Sequence, residues 1–205
     1  MSELIKLYED HVDHKKLKHI VDILRDGGLI IYPTDTVYGM GCDITNKSAL
    51  EKLARIKGVR LDKADFSFIC EDLSNLSDHV SQIETQTFKI LKRNLPGPYT
   101  FILPGSNSLP SVFRKKKTVG IRVPDNQIAL ALVKKLGNPI VSTSIKDDDE
   151  VLEYTTDPSL IFEKWNHQVD VVIDGGFGGN EASTVIDLTS GEPVLIREGK
   201  GGVLV

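Results

Sequence analysis

Short apolar runs rich in β-branched residues, each ended by turn or hydroxyl residues, are the feature that most constrains the fold of this 205-residue chain. Runs of this length and composition are typical of buried strands, because helices need longer periodic segments. We predict about seven strands from this pattern. The segments that fit it are 29–32, 66–70, 99–103, 118–124, 139–144, 169–174, 183–188 and 193–198.

Between these runs, apolar residues recur with helical spacing. Four of them at i, i+3, i+4 and i+7 predict a helix over 14–26 that two glycines end. Four more helices are predicted: one capped by Asn46, one over 85–94, one over 126–136 that Asp125 caps, and one opened by Asp157-Pro158. The irregular alternation of strands and helices predicts a single α/β domain, 1–205, built on a mixed sheet.

The composition is that of a globular protein, with 40% hydrophobic and 26% charged residues. No apolar run approaches the roughly 20 residues that cross a bilayer, and the first residues lack the pattern of a signal peptide. Cys42 and Cys70 lack metal-ligand spacing, so we interpret them as buried free thiols of a reducing compartment. We therefore expect a cytoplasmic protein without a membrane partner.

The net charge of −4 conceals an uneven distribution. Residues 85–124 contain no acidic residue and eight basic ones, whereas "KDDDEVLEY" further along reverses the sign. A basic run of this kind is typical of a solvent-exposed face and also of a groove that binds phosphate or nucleic acid. The sequence leaves both interpretations open.

Several predicted strands end in hydroxyl or charged residues. In open α/β sheets, ligands bind at strand ends, where short hydroxyls suit a small polar ligand and arginine forks suit carboxylate or phosphate. Ordinary turn chemistry also explains any one of these positions. They are Thr34-Asp35-Thr36, Thr118, Arg122, Ser142-Thr143-Ser144, Ser183-Thr184 and Arg197.

Common motifs for other site types are missing from the sequence. There is no G-x-x-x-x-G-K-[ST] phosphate loop and no G-x-S-x-G nucleophile elbow, and the histidines do not form a zinc-binding pattern. A bound nucleotide would therefore lie outside the usual phosphate loop, and we expect no metal site made by the protein alone.

The bend "YPTDTVYGMGCD" is the first of several segments that resemble one family. It is followed in order by "RIKG", "PGPYTFIL", "TVGIRVPDNQIALAL", "GNPIVSTS", "VDVVIDGG", "STVIDLT" and "IREG". This order resembles the YrdC-like family, whose best-known members are the L-threonylcarbamoyladenylate synthases, over about 16–199. The segment "FSFIC" and the missing Asn after "STS" are most similar to the YciO-type branch.

The resemblance implies a fold and a reaction. The fold is a twisted, open, mixed sheet flanked by helices around a large positively charged cavity. The reaction is a nucleotidyl transfer, in which ATP (with Mg²⁺), L-threonine and bicarbonate yield threonylcarbamoyl-AMP and pyrophosphate for threonylcarbamoyladenosine (t6A) modification of tRNA. Some family members are described as binding double-stranded RNA, which together with tRNA remains a possible partner here.

The resemblance also implies roles for individual residues. Arg122 would bind the threonine carboxylate bidentately, and Lys57 would offset charge on the triphosphate, so these two are the expected catalytic residues. The expected threonine ligands are Thr34, Arg122 and Ser142. The expected nucleotide ligands are Lys57, Arg60, Lys63, Thr118, Ser144, Ser183 and Arg197. For RNA, the candidates are Arg114, Lys115, Lys116 and Lys117.

On this interpretation the bend is a ligand loop. Its glycines, Gly39 and Gly41, would let the backbone approach the ligand, and its threonines would donate neutral hydrogen bonds. The alternative is that Asp35 and the threonines only cap a turn.

Two departures from the family pattern leave the activity open. The prolines of the family's Lys-x-Arg-Pro stretch are missing from "KGVRLDKADFSF", and Asp147–Glu150 place acidic charge where the synthases have Ala-Asn. Three functions therefore remain: a threonylcarbamoyl-AMP synthase, complete or impaired; an RNA-binding or RNA-maturation protein; and a different small-molecule enzyme on the same scaffold. The oligomeric state is also open.

Overall fold

A mixed β-sheet of ten strands is the framework of the computed structural model, which describes residues 2–74, 76–145 and 153–202. The strands are β1 (Glu3–Lys6), β2 (Ile30–Tyr32), β3 (Gly39–Asp43), β4 (Ser67–Ile69), β5 (Tyr99–Pro104), β6 (Thr118–Arg122), β7 (Ile140–Ser144), β8 (Val171–Asp174), β9 (Thr184–Asp187) and β10 (Val194–Arg197). Their order across the sheet is β1-β8-β2-β3-β7-β4-β6-β5-β9-β10, with parallel and antiparallel neighbours. The open mixed sheet is confirmed, but the count of about seven strands is wrong.

Two strands were not predicted from the sequence pattern, and each omission has a physical reason. β1 is an edge strand in which only Ile5 of four residues is buried, so it lacks an apolar run. β3 contains Gly39 and Gly41, and glycine is depleted in strands. The pattern therefore misses strands that lack an apolar, β-branched run, although it found β10, whose residues Val194–Arg197 are all exposed.

Seven helices accompany the sheet in the described residues. They are α1 (His14–Arg25), α2 (Lys47–Ile56), α3 (Thr85–Asn94), α4 (Ser111–Arg114), α5 (Gln127–Leu136), α6 (Glu153–Thr156) and α7 (Pro158–Trp165), with 3₁₀ turns at Leu61–Lys63 and Leu76–Asp78. All five predicted helices are confirmed. Within these ranges, none is both long and apolar enough to span a membrane.

The helix caps confirm two predictions and correct one. The Asn46 side chain accepts a hydrogen bond from the Ala49 amide at 3.1 Å, and Asp157 caps α7 directly before Pro158. Asp125 does not cap α5. Asn126 does, because its extended backbone stands immediately before the first helical residue and its side chain accepts from the Ala129 amide at 3.0 Å.

Hydrophobic cores lie on both faces of the sheet. Ile30 and Tyr32 of β2 belong to the core that contains α1 and α5, whereas Leu29 and Ile31 belong to the core that contains α2 and α7. This alternation follows from the two-residue period of a strand. Helices therefore cover the sheet on both sides.

The cysteines are free and buried, as predicted. Burial raises the pKa of both Cys42 and Cys70 to about 12. Both thiols therefore remain protonated near neutral pH and behave as core residues.

The glycines of β3 make room for a neighbouring ring and strand. Tyr32 pairs with Gly39, and Gly41 pairs with Ser142 of β7. A Cβ on Gly39 would lie 3.2 Å from the Tyr32 ring, and one on Gly41 would lie 2.5 Å from Ile140 Cγ2. Both glycines therefore serve strand packing, and their role in letting the backbone approach a ligand stays a prediction.

Substituting Gly41→Ala is expected to destabilise the protein by about 1–3 kcal/mol, because the added methyl group overpacks a buried strand pair. The free energy of unfolding from urea titration measures this. Gly202→Ala is the control, since a Cβ there meets open space. Equal stabilities of the two variants would contradict the packing role of Gly41.

Candidate ligand-binding site

A cavity of about 430 Å³ lies between β4, β5, β6, β7 and β9, on one side of the sheet. Its polar and charged lining residues are Asp65, Ser67, Thr100, Lys116, Thr118, Arg122, Ser142, Thr143, Ser144, Ser183 and Arg197. A larger cavity, about 770 Å³, is lined by residues of 73–88 and 106–108, none of them charged among those described. The first cavity is therefore the candidate site.

The structure brings most of the predicted ligand residues together. The candidates that line the cavity are Thr118, Arg122, Ser142, Ser144, Ser183 and Arg197, together with Lys116. The candidates Thr34, Lys57, Arg60 and Lys63 do not line it, and neither do Arg114, Lys115 and Lys117. The strand-end pattern thus identified the cavity better than the basic segments did.

Arg122, the last residue of β6, is held by the loop between β2 and β3. Its Nη2 donates to Asp35 Oδ1 at 2.9 Å and to Thr36 Oγ1 at 3.1 Å, and both side chains of the ion pair are at most 10% exposed. Its Nε is buried without a hydrogen-bond partner among the described residues. Because both Nη2 hydrogens are engaged, bidentate binding of a carboxylate through the two Nη atoms would require displacement of Asp35 or Thr36.

Ser142, in the middle of β7, is oriented by Tyr32. The Tyr32 hydroxyl donates to Ser142 Oγ at 2.6 Å, and Ser142 Oγ lies 3.4 Å from the Met40 carbonyl oxygen. Burial raises the pKa of Tyr32 to about 12, although the hydrogen bond to Ser142 opposes the shift. Tyr32 is therefore a neutral donor at physiological pH.

Arg197 approaches the same cavity from β10. Its Nη2 donates to the Ser183 carbonyl oxygen at 2.8 Å and to Ser183 Oγ at 3.2 Å, and Ser183 Oγ lies 2.9 Å from Thr100 Oγ1. Burial and then the positive charge of Arg122 lower the pKa of Arg197 from its ordinary value. The guanidinium groups of Arg122 and Arg197 therefore both lie at this cavity.

The three cations that line the cavity differ in their charge balance. Arg122 is paired with Asp35, and Lys116 with Asp65. Within 2–74, 76–145 and 153–202, no carboxylate forms an ion pair with Arg197. The cavity therefore offers an uncompensated positive charge beside several hydroxyls, which is an arrangement that suits an anion.

Thr34 orders the loop from within. Its Oγ1 donates to the Val37 carbonyl oxygen at 2.7 Å and accepts from the Thr36 amide at 3.1 Å. The turn-capping interpretation therefore describes Thr34, but not Asp35, whose carboxylate binds Arg122. The threonine-binding role of Thr34 stays a prediction.

The basic candidates of the 57–63 segment lie behind or outside the cavity wall. Lys57 Nζ donates to the carbonyl oxygen of Ser144 at 3.3 Å. Arg60 forms two hydrogen bonds with Asp62 on the surface, and Lys63 is exposed. Lys57 thus contacts the cavity lining through its side chain, and Lys63 contacts it only through its carbonyl oxygen, which accepts from Lys116 Nζ at 3.3 Å.

The basic segment 114–117 divides into one inward and three outward side chains. Lys116 Nζ donates to the Ala64 carbonyl oxygen at 2.7 Å and to the Asp65 carboxylate, so it closes the cavity wall instead of facing solvent. Arg114, Lys115 and Lys117 are exposed. RNA binding by this segment stays a prediction. The acidic stretch Asp147–Glu150 lies outside the described residues.

Sequence reasoning missed three contributors to the site, Tyr32, Ser67 and Thr100, and named Asp35 only as a strand-end or turn residue. Asp35 and Tyr32 position Arg122 and Ser142, and Ser67 and Thr100 line the cavity from β4 and β5. The signal for Ser67 and Thr100 was present, because both are hydroxyl residues within predicted strands that point to one face. Nothing in the local sequence signals the long-range pairs.

Comparison with known proteins identifies the family of this chain. The family model Sua5/YciO/YrdC, described as telomere recombination, matches residues 22–199. The chain belongs to the Sua5/YciO/YrdC family. The resemblance to the YrdC-like family is thereby confirmed.

Among relatives, the uncharacterized protein YciO of Escherichia coli (strain K12) is 42% identical over 99% of this chain and 98% of its own length. The crystal structure of E. coli YciO superposes with a TM-score of 0.90 at 41% identity over 98% of both chains. The similarity to the YciO-type branch therefore extends over nearly the whole chain.

A second relative is named for an enzymatic activity. The threonylcarbamoyl-AMP synthase of Pyrococcus abyssi is 31% identical over 97% of this chain, which spans 58% of that protein. The crystal structure of P. abyssi Sua5 complexed with L-threonine superposes with a TM-score of 0.86 at 30% identity, over 97% of this chain and 58% of that one. The family thus includes transferase-type enzymes.

The Tyr32→Phe variant tests the orientation of Ser142. At pH 8 its free energy of unfolding is expected to be about 0.5–1.5 kcal/mol lower than that of the wild type, because one buried hydrogen bond is lost. Above pH about 10 the unfolded wild type releases the Tyr32 proton that the native state keeps up to about 12, so wild-type stability falls with rising pH. Tyr32→Phe should therefore lose less stability between pH 8 and 11.

Denaturant titrations across this pH range measure both effects. Tyr8→Phe, at an exposed tyrosine, is the matched control and should stay within about 0.5 kcal/mol of wild type at pH 8. If Tyr32→Phe lost as much stability as the wild type between pH 8 and 11, burial would not be what keeps Tyr32 neutral.

Proposed function

We propose that this protein is a nucleotidyltransferase that forms threonylcarbamoyl-AMP and pyrophosphate from ATP, L-threonine and bicarbonate, for t6A modification of tRNA. The observation that carries the proposal is the meeting of Arg122, Arg197, Ser142 and Ser183 at one cavity. These residues come from distant parts of the chain and match the roles that the family resemblance implies. The relative from P. abyssi named threonylcarbamoyl-AMP synthase supports the reaction.

Threonine would bind at the Arg122 side of the cavity. The guanidinium attracts the carboxylate, and the Ser142 hydroxyl, which accepts from Tyr32 and donates to the Met40 carbonyl oxygen, keeps a second lone pair that accepts a hydrogen bond from threonine. Burial of this corner strengthens both contacts, because the local dielectric is lower than in water. The structure of P. abyssi Sua5 complexed with L-threonine supports this choice of substrate.

The nucleotide would bind at the Arg197 side. Arg197 has the charge that no described carboxylate balances and donates to Ser183, and the hydroxyls of Thr118 and Ser144 line the same cavity. Lys57, behind Ser144, would add positive charge near the triphosphate. Adenylyl transfer depends mainly on this kind of positioning and electrostatic stabilisation.

Magnesium would arrive with ATP. Mg²⁺ is usually held by substrate phosphates and one or two protein carboxylates, and Asp65 is the carboxylate that lines the cavity in the described residues. When bound, the ion would neutralise negative charge on the phosphates. The amine of threonine and bicarbonate would condense to N-carboxythreonine with loss of water. The protein residues would then orient its carbamate oxygen toward the α-phosphate, from which pyrophosphate leaves.

The experiment measures pyrophosphate release with Mg²⁺. The wild type should release pyrophosphate only when both threonine and bicarbonate are present. Arg122→Ala should lower kcat/KM for threonine about tenfold to a hundredfold, since a charge-assisted hydrogen bond is typically worth about 1.5–3 kcal/mol. Arg93→Ala, an exposed arginine in the last turn of α3, is the control with the same charge change.

Three outcomes would reject the proposal: no pyrophosphate release, release that ignores threonine, or full activity of Arg122→Ala. Calorimetric titration of ATP and threonine, separately and together, identifies the failing step. RNA binding remains the alternative function, and a steep fall of RNA affinity with salt that depends on Lys115 and Lys117 would favour it.

A further inference from the structure

Asp35 joins two separate parts of the chain, residues 122–125 and Lys200, to its own loop beside the candidate site. Its Oδ1 accepts from Arg122 Nη2 at 2.9 Å, its Oδ2 accepts from the Asp125 amide at 3.1 Å, and its carbonyl oxygen accepts from Lys200 Nζ at 2.5 Å. Its side chain is 8% exposed. A carboxylate with both oxygens bound by separate donors has a fixed orientation, so Asp35 can fix the orientation of what it binds.

The hydrogen bonds of Arg122 determine which of its atoms a ligand can reach. Both Nη2 hydrogens are directed to protein oxygens, on Asp35 and Thr36, and Nε is buried. Nη1 donates a hydrogen bond to none of the described residues, and Arg122 lines the cavity. A carboxylate in the cavity therefore meets Arg122 at Nη1.

We propose that Asp35 is a positioning residue for ligand carboxylate, acting by holding the guanidinium plane of Arg122 so that Nη1 faces the cavity. This inference rests on the proposed function for the identity of the carboxylate, L-threonine. Asp35 itself does not line the cavity, so it acts through Arg122 and does not touch the ligand.

The charge of Asp35 has a second consequence. Because the ion pair is buried, the positive charge of Arg122 is already largely balanced before a ligand enters. Recognition at this corner then depends on the direction of the Nη1 hydrogen bond more than on net attraction. A misdirected guanidinium should therefore lose carboxylate affinity even though its charge is no longer balanced.

Two variants separate positioning from folding. Asp35→Ala removes the acceptor of Arg122 Nη2 and leaves a buried charge without its partner, so its thermal unfolding is measured first. Asp35→Asn keeps an acceptor oxygen without the charge and is expected to restore a large part of any loss. Asp125→Ala is the matched control, because the exposed Asp125 contributes only its backbone amide to Asp35.

The first measurement is calorimetric titration with threonine and, separately, with ATP and Mg²⁺. Asp35→Ala is expected to weaken threonine binding about tenfold to a hundredfold while ATP binding stays within about twofold of wild type. The KM for threonine should rise by the same factor with little change in kcat. Unchanged threonine affinity, or an equal loss for both ligands, would overturn the proposal.

The second measurement does not depend on threonine binding. In ligand-free protein labelled with ¹⁵N-arginine, the held guanidinium of Arg122 should give resolved Nη resonances, which Arg122→Lys assigns by their disappearance. In Asp35→Ala, rotation of the released guanidinium should average these resonances. In Asp35→Asn they should stay at least partly resolved. If the wild type fails to bind threonine, the proposed function fails, and resonances that stay resolved in Asp35→Ala would separately reject the positioning role.

Discussion

The buried ion pair between Arg122 and Asp35 is the interaction on which the site depends. It joins the end of β6 to the loop between β2 and β3, although β7 and β4 lie between β3 and β6 in the sheet. Breaking such a pair by removing one partner typically costs about 3–5 kcal/mol, since the other charge stays buried. The pair therefore holds the loop over the strand ends and fixes a side chain of the cavity at the same time.

Charge balance explains why a chain with a net charge of −4 can present a cationic site. The acid-free segment 85–124 supplies Lys116 and Arg122, but each of these is paired with an acid from an earlier part of the chain, Asp65 or Asp35. The unbalanced cation, Arg197, comes from β10, outside that segment. The local charge of the site thus depends on which cations lack a partner and not on how many the segment contains.

The sequence carried most of the fold and about half of the site, for identifiable reasons. Strands such as 139–144 and the helix capped by Asn46 were predictable because their signals are local. Ser142, Ser183 and Arg122 were found because hydroxyl and charged residues stood at strand ends. The ion pair of Arg122 with Asp35 joins residues 87 positions apart, and Lys116 turns inward to reach Ala64, 52 positions away. Such contacts depend on tertiary packing, which no local pattern encodes.

The bend between β2 and β3 acts through other side chains. Of its residues only Val37 lines the cavity, yet Tyr32 orients Ser142 and Asp35 holds Arg122. Gly39 and Gly41 leave the space in which the Tyr32 ring lies, so they contribute to the orientation of Ser142 as well. The density of threonine, aspartate, tyrosine and glycine in this segment therefore reflects the demands of positioning two residues that line the cavity from two different strands. This segment should tolerate few substitutions, because the contacts that pack its strands are also the contacts that position the residues lining the cavity.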